Sequence, residues 1–234
     1  MKCKKIVTQV ALLLTGLGMS GVLFAHGMSE ADKQLILDAG YDEFIWLGAS
    51  HMLSGYDHLL FLLGVVFFLK RFGDIVKFIT AFTLGHSITL VLATLYGIQA
   101  NYFLIDAVIA LTVCYKGFEN LDGFKRYIGV KAPSLIWMVF GFGLIHGMGF
   151  AGAFGDLGLP PGIFWPALIG FNVGVEIGQL AVIGMALAVA VVIRGALKQA
   201  GRPDLYRPVL VWPVSAAIGA IGLWWAIERT FLNS

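Results

Sequence analysis

The chain has 234 residues, of which 59% are hydrophobic and 13% charged, with a formal net charge of +2. Soluble domains carry about a quarter charged residues. This composition therefore excludes an ordinary soluble domain and points to a bundle of membrane-spanning helices, each needing about 20 mostly apolar residues. The two cysteines, Cys3 and Cys114, build neither a disulfide framework nor a Cys-x-x-Cys pair. Any metal chemistry must then rest on nitrogen and oxygen donors.

In chain order, Lys2, Lys4 and Lys5 precede an apolar run over 6–24 that ends in small residues and Ala25. That is the pattern of a signal peptide over 1–25, cleaved after Ala25. Cleavage there would leave His26 as the new amino terminus, beside a free amine. Residues 26–43 are polar and acidic and read as a short surface helix on the outer side.

Six apolar segments follow, at about 44–69, 78–97, 104–121, 135–154, 164–193 and 209–227. Basic residues alternate across the loops. Lys70, Arg71 and Lys77 follow the first span, Lys125, Arg126 and Lys131 the third, and Arg194, Lys198, Arg202 and Arg207 the fifth. The loops at 98–103 and 155–163 have no Lys or Arg. Because cytoplasmic loops collect positive charge, the expected layout is a multi-pass protein of the bacterial inner membrane with both mature ends in the periplasm. The fold class is all-α, a polytopic helix bundle of six transmembrane helices.

Sequence matches suggest a 3+3 inverted repeat, as in many transporters. Gly55, His58 and Gly64 align with Gly143, His146 and Gly152 at an offset of 88. Phe82 and Gly85 align with Phe171 and Gly174 at an offset of 89.

Ionisable side chains inside spans are costly and by default mark function. Asp106, Lys116 and Glu119 lie toward the ends of the third span, while the deeper groups are His51, Asp57 and His58 in the first span, His86 in the second, His146 in the fourth and Glu176 in the fifth, with Asn172 one turn before it. A rise of 1.5 Å per residue sets these groups about 10–21 Å from the outer helix ends, in one slab of the bilayer. Asn172, Glu176 and Gln179 form one stripe at i, i+4 and i+7. His51 and His58 are two turns apart, about 10.5 Å along an unbroken helix. Ligands of one ion must lie closer than that. Either Ser54-Gly55 breaks the helix, or the two histidines serve successive positions on a path.

Imidazole with carboxylate suits a divalent cation such as Ni²⁺, Co²⁺ or Zn²⁺, and also iron or copper(II). No P-loop, His-Glu-x-x-His or Gly-x-Ser-x-Gly motif is present, and no basic patch with interleaved aromatics calls for nucleic acid. The partners expected are the lipid bilayer and the ion itself, and the sequence leaves a homo-oligomer open.

The segment from His51 through Gly55 to Asp57-His58, with its Leu/Phe-rich continuation, resembles the first-helix signature of the HupE/UreJ family. The blocks FTLGHSITL and GLIHGMGFA, and the helix carrying Asn172 and Glu176, are similar to one branch of that family. Met52 stands where the better-known hydrogenase-linked members carry proline. The resemblance spans about 44–195 and implies a small permease for a metal ion, with nickel first among the candidates. An integral membrane metalloenzyme and a metal-binding assembly factor are the other readings of the same donor set.

Overall fold

The computed structural model describes residues 41–67, 69, 71–98, 100–155 and 161–232. The expected signal peptide, the cleavage after Ala25, His26 and nearly all of the 26–43 segment lie outside the described residues. The described chain is helical, with no strand in it. We label the α-helices α1 Tyr41–Ser54, α2 Tyr56–Val66, α3 Phe72–Tyr96, α4 Tyr102–Asn120, α5 Leu135–Gly155, α6 Pro161–Gln199 and α7 Trp212–Ile227. Short π turns at Arg207–Val211 and Glu228–Leu232 extend α7 at both ends.

Local signals place the boundaries. The Asp74 carboxylate accepts the Arg71 N–H at 3.1 Å and opens α3, and Gly97, at φ +61°, closes it in the left-handed conformation that glycine tolerates. Asn101 caps α4 by accepting the Leu104 N–H at 3.1 Å. Among the described residues, four helical stretches are long and apolar enough to cross a membrane: Phe72–Tyr96, Leu135–Gly152, Gly162–Gln199 and Pro203–Phe231. The segment expected as one first span is instead two helices of 14 and 11 residues, broken at Gly55. α4 has 19 residues and carries Asp106, Lys116 and Glu119, which lower its apolar character. Along α6, Ile169, Val173, Ile177, Leu180, Met185 and Val189 are exposed, an apolar face suited to acyl chains.

Three helix pairs carry most of the packing: α1 with α6, α3 with α5, and α4 with α7. Without a hydrophobic drive inside lipid, close backbone approach through small residues holds such pairs together. In the first pair a Cβ on Gly48 would strike the Phe171 carbonyl, and one on Gly174 the Ile45 carbonyl. In the second, a Cβ on Gly143 would strike the Phe82 carbonyl, and one on Gly85 the Phe140 carbonyl. In the third, Gly117 faces Gly219 and Ser215, while Gly222 faces Cys114 and Ala110.

These contacts obey one pseudo-twofold relation. Ile45, Gly48 and Ala49 correspond to Phe140, Gly143 and Leu144, each 95 residues on. Phe82, Gly85 and His86 correspond to Phe171, Gly174 and Val175, each 89 residues on. Ala110, Cys114 and Gly117 correspond to Ser215, Gly219 and Gly222, each 105 residues on. The contacts also run in step along α1 and α6 and along α3 and α5, so those pairs are parallel. α4 and α7 run antiparallel.

The repeat expected from sequence is thus present, and its 89-residue offset for the second and fifth spans agrees with the packing. The 88-residue offset for the first and fourth spans is corrected to 95. The earlier alignment matched glycines by spacing alone, whereas packing equivalence follows the surfaces that touch. His51, not His58, is the counterpart of His146.

A buried polar knot ties α4 to α2. Asn120 Nδ2 donates to the Gly64 carbonyl at 2.9 Å. Lys116 is 1% exposed and pairs with Glu119 at 2.6 Å, and its stem lies over Gly64. Asn120→Leu removes the donor to a buried carbonyl. It should lower stability by about 1–3 kcal/mol, read as a lower melting temperature in detergent.

Candidate metal site

Gly55 has φ −74° and ψ 102°, an extended conformation open to any residue. Its requirement is space: a Cβ there would strike His58 Nδ1 and lie 3.1 Å from Asp57 Oδ1. The Gly55 N–H still reaches the His51 carbonyl at 3.1 Å, and the Leu59 N–H reaches the Gly55 carbonyl at 3.0 Å. The chain therefore bends without losing both ladders. The bend closes the gap that an unbroken helix would leave, and the His51 and His58 rings meet with centroids 5.0 Å apart. Of the two alternatives left by the sequence, the break at Ser54-Gly55 is the one observed.

His146, on α5, brings its ring to 4.9 Å from that of His58. Three imidazoles thus form a continuous row, one contact T-shaped and the other tilted. His146 Nδ1 lies 2.7 Å from the Phe142 carbonyl. A carbonyl only accepts, so Nδ1 carries the proton and the Nε2 lone pair is the one available to a metal. Asp57 and His58 are 2% and 3% exposed. Asp57 Oδ1 accepts the His58 backbone N–H at 2.9 Å and lies 3.1 Å from His58 Nδ1. That second approach lacks hydrogen-bond alignment.

His86, 1% exposed, lies between Phe82 and Phe171, nearly parallel to both at 6.2 and 6.1 Å. Those two phenylalanines are counterparts in the repeat. Neither ring nitrogen of His86 makes an aligned hydrogen bond among the described residues, but the Asn172 side chain lies within hydrogen-bonding range of the ring, and His58 and His146 lie within electrostatic range. Phe61 and Phe142 pack in edge contact at 5.3 Å on one side of the row, and Phe150 stacks on Phe171 at 4.6 Å on the other. His58, His86 and His146 are thus buried among aromatic rings, and His51 is half-buried beside Phe150 and Phe171.

Asn172 belongs to both the structure and the site, since its side chain reaches the His86 ring. Its Nδ2 donates to the Leu168 carbonyl at 2.8 Å, and its Oδ1 lies 2.7 Å from Ser87 Oγ. Ser87 also lies 2.7 Å from the Thr83 carbonyl, and its single hydroxyl proton serves one of the two acceptors at a time. The Asn172–Ser87 contact sets α6 beside α3 at the level of His86. Glu176, one turn further along α6, is half-buried. Among the described residues no three of His, Cys, Asp or Glu converge tightly enough to hold one ion in this conformation. The imidazoles meet pairwise instead.

Lys116 and Asn120 are buried, and Glu119 is half-buried with its carboxylate paired to Lys116. Their i, i+3 and i, i+4 spacing could have shown that they share a face.

The fold, with its apolar helices and the imidazoles set among them, is that of a multi-pass membrane protein. The chain belongs to the HupE/UreJ family: it matches the family described as HupE / UreJ protein over residues 29–229, a family associated with metal transport. No curated protein and no solved structure matches it.

Proposed function

We propose that the chain is a secondary permease or facilitator that carries a divalent transition metal, Ni²⁺ first among the candidates, from the periplasm to the cytoplasm. The observation that carries this reading is the break at Gly55, which brings His51 against His58, and His58 with Asp57 against His146, among aromatic rings. The pairing of helices supports six crossings, with α1 and α2 together forming the first. Spans one and five are parallel, as are two and four, while three and six are antiparallel. That is the pattern of alternate crossing with both mature ends outside, and it agrees with the basic loops.

In this reading His51 receives the ion at the outer side. Asp57, His58, His86, His146 and Glu176 form the central region, and Asn172 holds the two helices that frame His86. Transport needs binding that is selective and yet weak enough to release. A row of imidazoles meeting pairwise suits successive stops. A resident catalytic centre would need about three protein ligands held at once, so the geometry favours cargo over cofactor. Ligand histidines must be neutral to bind, so protons compete with the ion.

The test is uptake of Ni²⁺, Co²⁺, Zn²⁺ and Mn²⁺ into proteoliposomes. His58→Ala should lower uptake at least about tenfold, by analogy with other metal sites that lose a supporting group, and Glu176→Ala should lower it as well. Normal flux through both variants would refute the central site. Binding without any flux in the wild type would point to an assembly factor instead.

A further inference from the structure

Gln179 is fully buried at 0% exposure, and neither end of its amide has a hydrogen-bond partner among the described residues. A buried amide without partners is strongly disfavoured, and such a group in a native interior calls for a reason. Its position supplies one. Gln179 continues the stripe of Asn172 and Glu176 on α6. α6 runs parallel to α1, with Gly170 at Phe44, Gly174 at Ile45 and Ala49, and Gly178 at Met52. The same register carries the next residues of α6 to the level of the Ser54-Gly55 break.

The repeat sharpens the point. The α1·α6 and α3·α5 pairs share their backbone contacts but not all their side chains, as His86 against Val175 shows, and two further differences fall together. The break at Gly55 corresponds to Phe150 within the unbroken α5, and Gln179 corresponds to Leu90, a buried apolar residue. Both departures from the repeat fall in the same pair at about the same level. A residue kept only for packing could be apolar here, as its counterpart is.

We propose that Gln179 is a selectivity-determining residue whose amide oxygen contacts the transported divalent cation, or its bound water, as it passes the break beside Asp57 and His58. This rests on the permease reading, since the cation is that of the same site. A neutral oxygen beside imidazoles adds a donor without adding charge, which leaves borderline metals ahead of hard ones.

The experiment compares wild type, Gln179→Leu and Gln179→Glu, purified in detergent, for Ni²⁺ and Mn²⁺ binding and for melting temperature, with vesicle flux measured in parallel. Gln179→Leu should weaken Ni²⁺ binding about tenfold, within the range seen when a supporting group of a metal site is lost. It should also raise the melting temperature, because the unpartnered amide is gone. Gln179→Glu should keep binding and shift the Mn²⁺:Ni²⁺ preference toward Mn²⁺. A merely structural glutamine would move the melting temperature the other way and leave the metal order alone. Unchanged Ni²⁺ affinity in Gln179→Leu together with an unchanged metal order in Gln179→Glu would overturn the proposal. So would a wild type that binds neither metal. Binding that changes as expected without flux in any protein would reject the permease reading and uphold the role of Gln179 as a cation contact.

Discussion

Gly55→Val should leave a folded, membrane-inserted protein that has lost metal uptake by about 100-fold, the upper end of losses seen when metal-site geometry is disturbed. The backbone at Gly55 suits any residue, so no strain accompanies the substitution. What a Cβ meets there is the His58 ring and the Asp57 carboxylate. The ring can swing aside at modest cost to the fold, but doing so takes it out of the row formed with His51 and His146. Stability and function therefore separate: the melting temperature in detergent should move by a few degrees, while uptake in proteoliposomes should nearly vanish. Wild-type uptake by Gly55→Val would mean that the row of imidazoles is not the route.

The second large effect is on folding. Gly85→Leu and Gly174→Leu should each cost about 3 kcal/mol or more, at or beyond the usual range for overpacking. The obstacle at each is a backbone carbonyl of the facing helix, Phe140 for one and Ile45 for the other, and neither can turn away as a side chain can. Because the two glycines are counterparts in the repeat, the losses should be similar, seen as reduced folded protein in the membrane fraction. Gly152→Leu and Gly184→Leu, where a Cβ would meet nothing within 4 Å, serve as controls and should be tolerated. A severe loss at one crossing glycine and none at the other would contradict the pseudo-twofold arrangement.

Much of the site was legible early because hydrocarbon makes its residues conspicuous. His51, Asp57, His58, His86 and His146 stood out as charge-capable groups in apolar segments. The break at Gly55 could be anticipated, since two histidines seven residues apart cannot meet on a straight helix. Asn172 and Gln179 were harder to tell apart, both being amides on one stripe. Contacts distinguish them: Asn172 is engaged by Leu168 and Ser87, while the Gln179 amide has no hydrogen-bond partner among the described residues. The Lys116–Glu119 pair was obscured because charge near a span end reads equally well as solvated or buried.

The sequence by itself determined the helical class, the apolar character of the chain and the identity of the donors, because each follows from composition and spacing under the demand that lipid makes on polar groups. Only the tertiary structure decided which glycines face which carbonyls, and hence that His51 rather than His58 is the counterpart of His146. Spacing along one chain records periodicity, whereas equivalence between halves is set by surfaces that meet across helices far apart in sequence.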